Sequence, residues 1–278
     1  MGDLLSGLEQ FGFNNVNKID VFEKESAESK EKEKPKSRAV EEADLLFDKS
    51  YVCPLCGESF KSKTVKIGKV KLMSADSDLR PKYQTVDSLK YDAVVCPCCG
   101  YAALNRFFSY MTSMKARAIK EKISANYKHA KEAGDIYTYD DAILRHKLAL
   151  LNSIVGNGKN SEKAYTCLKL AWLCRGKREH LEQEEPNNKE ARQELIKLEH
   201  DYIQNAYEGF TNALSKENFP MCGMDEFTVL YLVAELARRC GKFDESLRLV
   251  SQILVSREAN ERIKEKARTI KDAIKAAK

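Results

Sequence analysis

Apolar positions change their spacing twice along this chain, and the changes divide it into three parts. Residues 1–49 open with Leu4, Leu5, Leu8 and Phe11, which share one stripe of a short helix. They continue into "KIDVFEKESAESKEKEKPKSRAVEEADLLFDK", where charges of both signs leave few apolar positions. Such a segment buries too little to offset its ordering entropy, so a flexible charged tail is expected. The opening stripe suits a peptide that docks on a partner or on a groove of its own protein. It suits equally an unstructured terminus, because so short a helix is marginal alone.

Residues 50–101 alternate instead. In "TVKIGKVKLM" (64–73), Val65 and Ile67 face one way, and Val70 and Leu72 resume after a one-residue shift at Gly68. That pattern predicts a strand with a glycine bulge. "YDAVV" (91–95) predicts a second strand, and the Ser, Asp and Pro of "SADSDLRPKYQTVDSLK" predict a loop between them.

From Ala102 the spacing becomes helical. Leu104, Phe107, Phe108, Met111, Met114, Ala118 and Ile123 predict one helix reaching towards Gly134. Ile143, Leu144, Leu148, Leu151 and Val155 predict a second, stopped by Gly156, and "EKAYTCLKLAWLCRGK" a third. Residues 188–220 read as one long helix ending before Pro220. Residues 225–256 read as a helical hairpin turning at Gly241-Lys242-Phe243-Asp244, and Ile263, Ala267, Ile270 and Ile274 mark a last helix. "CLKLAWLCRGK" and "LVAELARRCGK" align without gaps, with Gly176 and Gly241 65 residues apart, close to two tetratricopeptide periods of about 34. In the second unit Ala234, Ser246, Val250 and Ile253 stand where that repeat wants small and bulky contacts. The expected fold is mainly α: a tetratricopeptide-like antiparallel helical array (102–278), preceded by a small β zinc-ribbon module (50–101) and the flexible N-terminal tail (1–49).

The chemistry lies in the cysteines, of which the chain has nine. "YVCPLCGESF" (51–60) and "VCPCCGYAAL" (95–104) share the skeleton Cys-Pro-x-Cys-Gly, with Cys98 in the variable slot opposite Leu55. A Cys-x-x-Cys turn aims two thiolates at one metal, and two such turns complete a tetrahedron. The expected ligands are Cys53, Cys56, Cys96 and Cys99. The expected cofactor is Zn2+, with Fe as the alternative. Cys98 is a spare or redox-sensitive thiol, or an incidental small residue. The start "MGDLLSGLEQFGF" has no basic region and no apolar run, and no stretch of about 18 apolar residues occurs. A cytoplasmic location without a membrane span is therefore expected, where paired cysteines suggest metal rather than disulfides. Met1-Gly2 with Ser6 fits a myristoylation pattern too short to outweigh chance.

Charge changes the picture little. The formal net charge of +5 becomes about +3 once four thiolates hold a divalent ion, which demands no nucleic-acid partner. Lys61, Lys63, Lys66, Lys69 and Lys71, and the basic residues of 257–278, could follow phosphates. Without interleaved aromatics, solvated faces are the stronger expectation. Cys167 and Cys174, seven apart, would need His146 or His180 to form a second site. Those two, with Cys222 and Cys240, are better explained as small buried residues, and His129 and His200 have no ligand spacing. "VGNGKNS" lacks the glycine and hydroxyl of a phosphate-binding loop, and no hydrolase signature is present.

The knuckles resemble the two of rubredoxin, whose iron carries one electron. The short spacer and dense aromatic core of that protein are absent from the sequence, and Trp172 lies far away. The order of "YVCPLCG", the long spacer with "RPKY", "YDAVVCPCCGYAA" and the helices behind resembles a bacterial family catalogued as domain of unknown function 2225, over about residues 50–255. That resemblance implies a cytoplasmic bacterial protein with a metal site and no established activity. The expectation is a non-enzymatic interaction protein with a structural metal and an unknown protein or peptide partner.

Overall fold

The structure is a computed structural model that describes residues 40–128 and 134–276. The Leu4–Phe11 stripe, His129 and most of the charged tail lie outside the described residues. Residues 42–49, expected to belong to the tail, carry regular structure. Glu42–Leu45 form a 3-10 turn that leads into strand β1 (Leu46–Val52), and Leu45 and Leu46 are buried with Val65, Val86, Tyr91 and Tyr137. Leu45 and Leu46 supply the burial here, despite their acidic neighbours and an exposed Phe47.

β1 pairs antiparallel with β2 (Ser59–Val65) along its whole length, from Leu46 opposite Val65 to Val52 opposite Ser59. Gly68 is not a bulge within a longer strand. It lies in a 3-10 turn, Ile67–Lys69, after which β3 (Leu72–Ala75) begins a second hairpin with β4 (Pro81–Tyr83). The phase shift read from the sequence is a break between hairpins. A third hairpin joins β5 (Ala93–Val95), the strand predicted there, to β6 (Ala102–Leu104).

Seven α-helices follow among the described residues, and the chain is mainly helical. α1 (Ser113–Lys122) starts later than the apolar spacing predicts. Leu104 belongs to β6, Phe107 to a 3-10 turn, and Thr112 caps the helix by accepting from Lys115 N. A local cap outweighs helical periodicity where the upstream residues have a sheet to join. α2 (Tyr139–Val155) opens with a Thr138–Asp141 capping box and stops at Gly156 as expected. α3 (Asn160–Glu184) is followed by α4 (Lys189–Leu214), which ends before the expected Pro220, and then by α5 (Glu226–Arg239), α6 (Phe243–Val255) and α7 (Glu261–Ala276).

α3 is the centre of the main core. Leu168, Leu170, Ala171 and Leu173 are fully buried on successive faces, because α2 packs on one side and α4 on the other. α3 and α4 run antiparallel: Gly209 near the end of α4 lies against Ala164 near the start of α3, and Arg175 of α3 bonds Glu199 of α4 at 2.7 Å. Gly176 does not turn the chain as Gly241 does. It is buried inside α3, and a Cβ on it would meet the Tyr139 ring at 2.7 Å and Arg80 Nη2 at 3.0 Å. Gly241 has φ +72 and follows Cys240, the C-cap of α5, turning the chain towards α6. The gapless alignment of the two segments therefore joins glycines with different roles.

The third hairpin packs on α2, while the predicted 74–90 loop contains β4 and links the second hairpin to α3 and α5. Its tip is sequestered: Asp78 has no exposed surface. Arg175 Nη1 donates to Asp76 at 2.8 Å and to Asp78 at 3.0 Å, and Nη2 donates to Asp78 at 2.6 Å. Tyr231 of α5 donates to Ser77 O at 2.5 Å, and Ser77 Oγ donates to Glu235 at 2.7 Å. Arg80 pairs with Glu179 of α3 at 3.0 Å. Burial pushes the Asp78 carboxyl up, but hydrogen bonds and charge from Arg175 outweigh it and hold the group below the usual carboxylate range. Asp76 follows the same balance. No helix among the described residues is long and apolar enough to cross a membrane.

Candidate metal centre

The first and third hairpins end in six-residue loops of the same design. In one, Cys53 N donates to Glu58 O at 2.9 Å and Gly57 N to Cys53 O at 2.9 Å. In the other, Cys96 N donates to Tyr101 O at 2.8 Å and Gly100 N to Cys96 O at 3.1 Å. The closing glycines have φ +82 and +71, a backbone that side chains resist. Leu55 N donates to Cys53 Sγ at 3.4 Å. The Pro and Gly of the repeated skeleton thus set two matching turns, each presenting a pair of sulfurs.

The two pairs meet. The Sγ atoms of Cys53, Cys56, Cys96 and Cys99 all lie within 4.8 Å of one another, Cys53–Cys99 at 3.6 Å and Cys56–Cys96 at 3.7 Å. Disulfide sulfurs would lie about 2 Å apart, so these are thiols. A tetrahedron with metal–sulfur distances of ~2.3 Å has edges of about 3.8 Å, which the two measured edges approach. Among the described residues this is the group of Cys, His, Asp or Glu able to hold a metal. Its donors are all sulfur, as a closed four-thiolate site requires.

Protons alone satisfy the cluster poorly. A hydrogen bond with Cys99 holds the Cys53 thiol down at about 5, against the effect of burial, and the same contact drives Cys99 far up. Burial lifts Cys96 to about 11. One thiolate is thus faced by neighbouring thiols, and all four can ionise together only around a cation.

The two loops are supported unequally. Gly57 has nothing within 4 Å of a Cβ position, whereas Gly100 lies against the Tyr127 ring and its carbonyl accepts from buried Asn152 of α2 at 3.2 Å. Cys53, Cys96 and Cys99 are buried, Cys56 is exposed, and the apolar cluster around them takes in Ile119 and Ile123. Aromatic rings line the same cluster. Phe108 meets Tyr51 at 5.6 Å, Phe60 at 5.9 Å and Tyr101 at 5.1 Å between ring centres. Tyr101 donates to Phe108 O at 3.0 Å, and Tyr51 to Asn105 Oδ1 at 3.1 Å. The sequence-based expectation that no aromatic core surrounds the site is corrected. The four rings come from four separate segments, and only the hairpins bring them together.

Other cysteines and bases stand apart from the cluster. Cys98 is exposed and is not among the four. Cys167 and Cys174 are buried in α3, each raised to about 11 chiefly by burial. His146 bonds Ala142 O at 2.8 Å, and its full burial holds it at about 4, while His180 pairs with Glu184 at 3.2 Å. Cys222 donates to Ser161 O at 3.3 Å, Cys240 is half-buried, and His200 is exposed on α4. Of the hairpin lysines, Lys63 pairs with Asp48 and Asp135 at 3.1 Å each, and Lys66 reaches Asp44 O at 2.9 Å. "VGNGKNS" forms the turn from α2 into α3, so a helix rather than a strand precedes its glycines.

No curated protein and no solved structure matches the chain. A family model described as an uncharacterized protein conserved in bacteria matches residues 46–274, a span that takes in both knuckles and all seven helices up to the last turns of α7. The chain belongs to that bacterial family, DUF2225.

Proposed function

We propose that the chain is a non-enzymatic, zinc-binding interaction module, in which a structural Zn2+ joins two knuckles of a zinc-ribbon type and a tetratricopeptide-like array engages a protein or peptide. The observation that carries this reading is the sulfur cluster, four Sγ atoms within 4.8 Å on two matched turns. Cys53, Cys56, Cys96 and Cys99 would hold the ion, which would supply folding energy rather than an open coordination position for a substrate. Supporting the array are the Ser246 hydroxyl bonded to Ala234 O at 2.7 Å across the α5–α6 hairpin, and α7 packed on both α5 and α6 as the next unit's first helix would be. The β3–β4 tip covers part of α3 and α5, so a partner would bind beside it. The expected setting is the cytoplasm.

Elemental analysis of protein from its native host tests the metal, with one zinc per chain expected. Iron is the second reading, favoured by the aromatic rings beside rubredoxin-like knuckles. Visible thiolate-to-iron absorption would replace zinc with iron and interaction with electron transfer. Nucleic acid ranks below both: Lys61, Lys69 and Lys71 are exposed, and binding insensitive to salt would remove it. Pull-down with variants of the exposed helical surface tests the partner, and an unchanged set of bound proteins would defeat the interaction reading.

A further inference from the structure

Away from the cysteines, the turn between α2 and α3 lines a cavity of about 530 Å³, within the size range of small-molecule sites. Two cations line it, one buried and one, Arg106, exposed. Lys115 of α1 is buried, its stem packed so closely over Gly156 that a Cβ there would meet its Cγ at 2.7 Å and Cε at 3.2 Å. Among the described residues its ammonium has one ionic partner, Glu162, 3.6 Å away. Arg106 donates to Cys222 O, and its guanidinium fills the space a side chain on Gly223 would need. Gly223 (φ +76) and Cys222 (φ +50) form the tight turn closed by Met224 N donating to Met221 O at 2.8 Å, and the arginine lies against that turn.

The start of α3 opens onto the same cavity. Ser161 N donates to Glu217 at 3.3 Å and Ser161 Oγ to the same carboxylate at 2.5 Å, so an internal anion already occupies those donors. Counting the lining charges, Arg106, Lys115 and Lys159 exceed Glu162 and Glu217 by one positive charge. The remaining wall includes Phe107, Tyr110 and Met221. The Lys115 ammonium, 3.6 Å from Glu162, faces the cavity and is open to an anion that enters it.

We propose that this cavity binds a small organic anion, one carboxylate or phosphate group on an apolar or aromatic body. The charged group would lie at Lys115 and Arg106, and the body against Phe107 and Met221. The proposal does not depend on which metal the cysteines hold. Isothermal titration of the zinc-loaded full chain with phenyl phosphate and with benzoate tests it, with inorganic phosphate and benzyl alcohol as the two halves. The expected result is saturable one-to-one binding of at least one whole probe, about tenfold or more tighter than either half; whichever is stronger names phosphate or carboxylate. Lys115→Met should weaken it about tenfold or more with zinc content and helical circular dichroism unchanged. Should that variant not fold, Lys159→Gln on the cavity rim should still weaken binding by roughly threefold. No saturation at millimolar probe, or equal affinity in whichever of these variants folds, would overturn the assignment.

Discussion

Replacing Arg175 with methionine isolates what the β3–β4 tip contributes. The arginine satisfies Asp76, Asp78 and Glu199 through contacts of 2.6–3.0 Å, and methionine keeps most of its apolar stem volume. Removing it leaves Asp78, which has no exposed surface, with Arg239 at 3.7 Å as its remaining cation. Breaking a buried pair from one side costs about 3–5 kcal/mol, and that is the loss expected at pH 7 by urea denaturation followed by far-UV circular dichroism. The pH dependence makes the test sharper. In the natural protein Asp76 and Asp78 titrate below the usual range. Their contribution is therefore whole above the unfolded value of about 3.9 and is lost as pH falls through the depressed folded values. Without Arg175, burial is opposed less, the carboxyls rise, and protonation relieves them. The stability gap between the two proteins should shrink from pH 7 to pH 4. A gap below about 1 kcal/mol at pH 7, or one that widens on acidification, would refute the argument.

The metal and its surroundings yield further expectations. Cys99→Ser should abolish stoichiometric metal binding and raise amide exchange in 51–60, 94–104 and α1, which share the cysteine cluster's core, while α3–α7 in the separate main core stay protected; uniform exchange would contradict two cores. Gly100→Ala must both adopt a left-handed backbone and displace the Tyr127 ring, whereas Gly57→Ala meets open space. The first should lower stability well beyond the ~1–2 kcal/mol of the second, and equal melting losses would count against the asymmetry. His146 is held neutral at about 4 by burial, so stability should fall as pH drops from about 6.5 towards 4, a slope that His146→Gln should remove in acid titrations of unfolding free energy.

What the sequence made legible was local. The two knuckles are short motifs whose spacing determines their turns, and α2, α5 and α7 each carry a cap or glycine stop next to regular apolar spacing. What it hid was distant in sequence. "SADSDLRPKY" has the composition of a solvated loop, and Arg175 binds Asp76 and Asp78 across 99 and 97 residues. Charge alone does not distinguish a buried partner from water. Gly176 resembled a turn glycine because composition does not record that a tyrosine ring and an arginine press against that side of α3. Tyr51, Phe60, Tyr101 and Phe108 were visible as letters, but their convergence followed from hairpin pairing that no single window contains.

The tip that docks on α3 and α5 also bears on how the ion is captured. Thirty-nine residues separate the two Cys-x-x-Cys pairs, and closing a slack ring of that size would cost about 3 kcal/mol of chain entropy from its length alone. Anchored near its middle by Arg175 and Tyr231, the intervening strap is no longer slack. The folded helices therefore hold the two halves of the cage near each other in advance, and loosening that anchor should weaken the grip on metal without touching a sulfur.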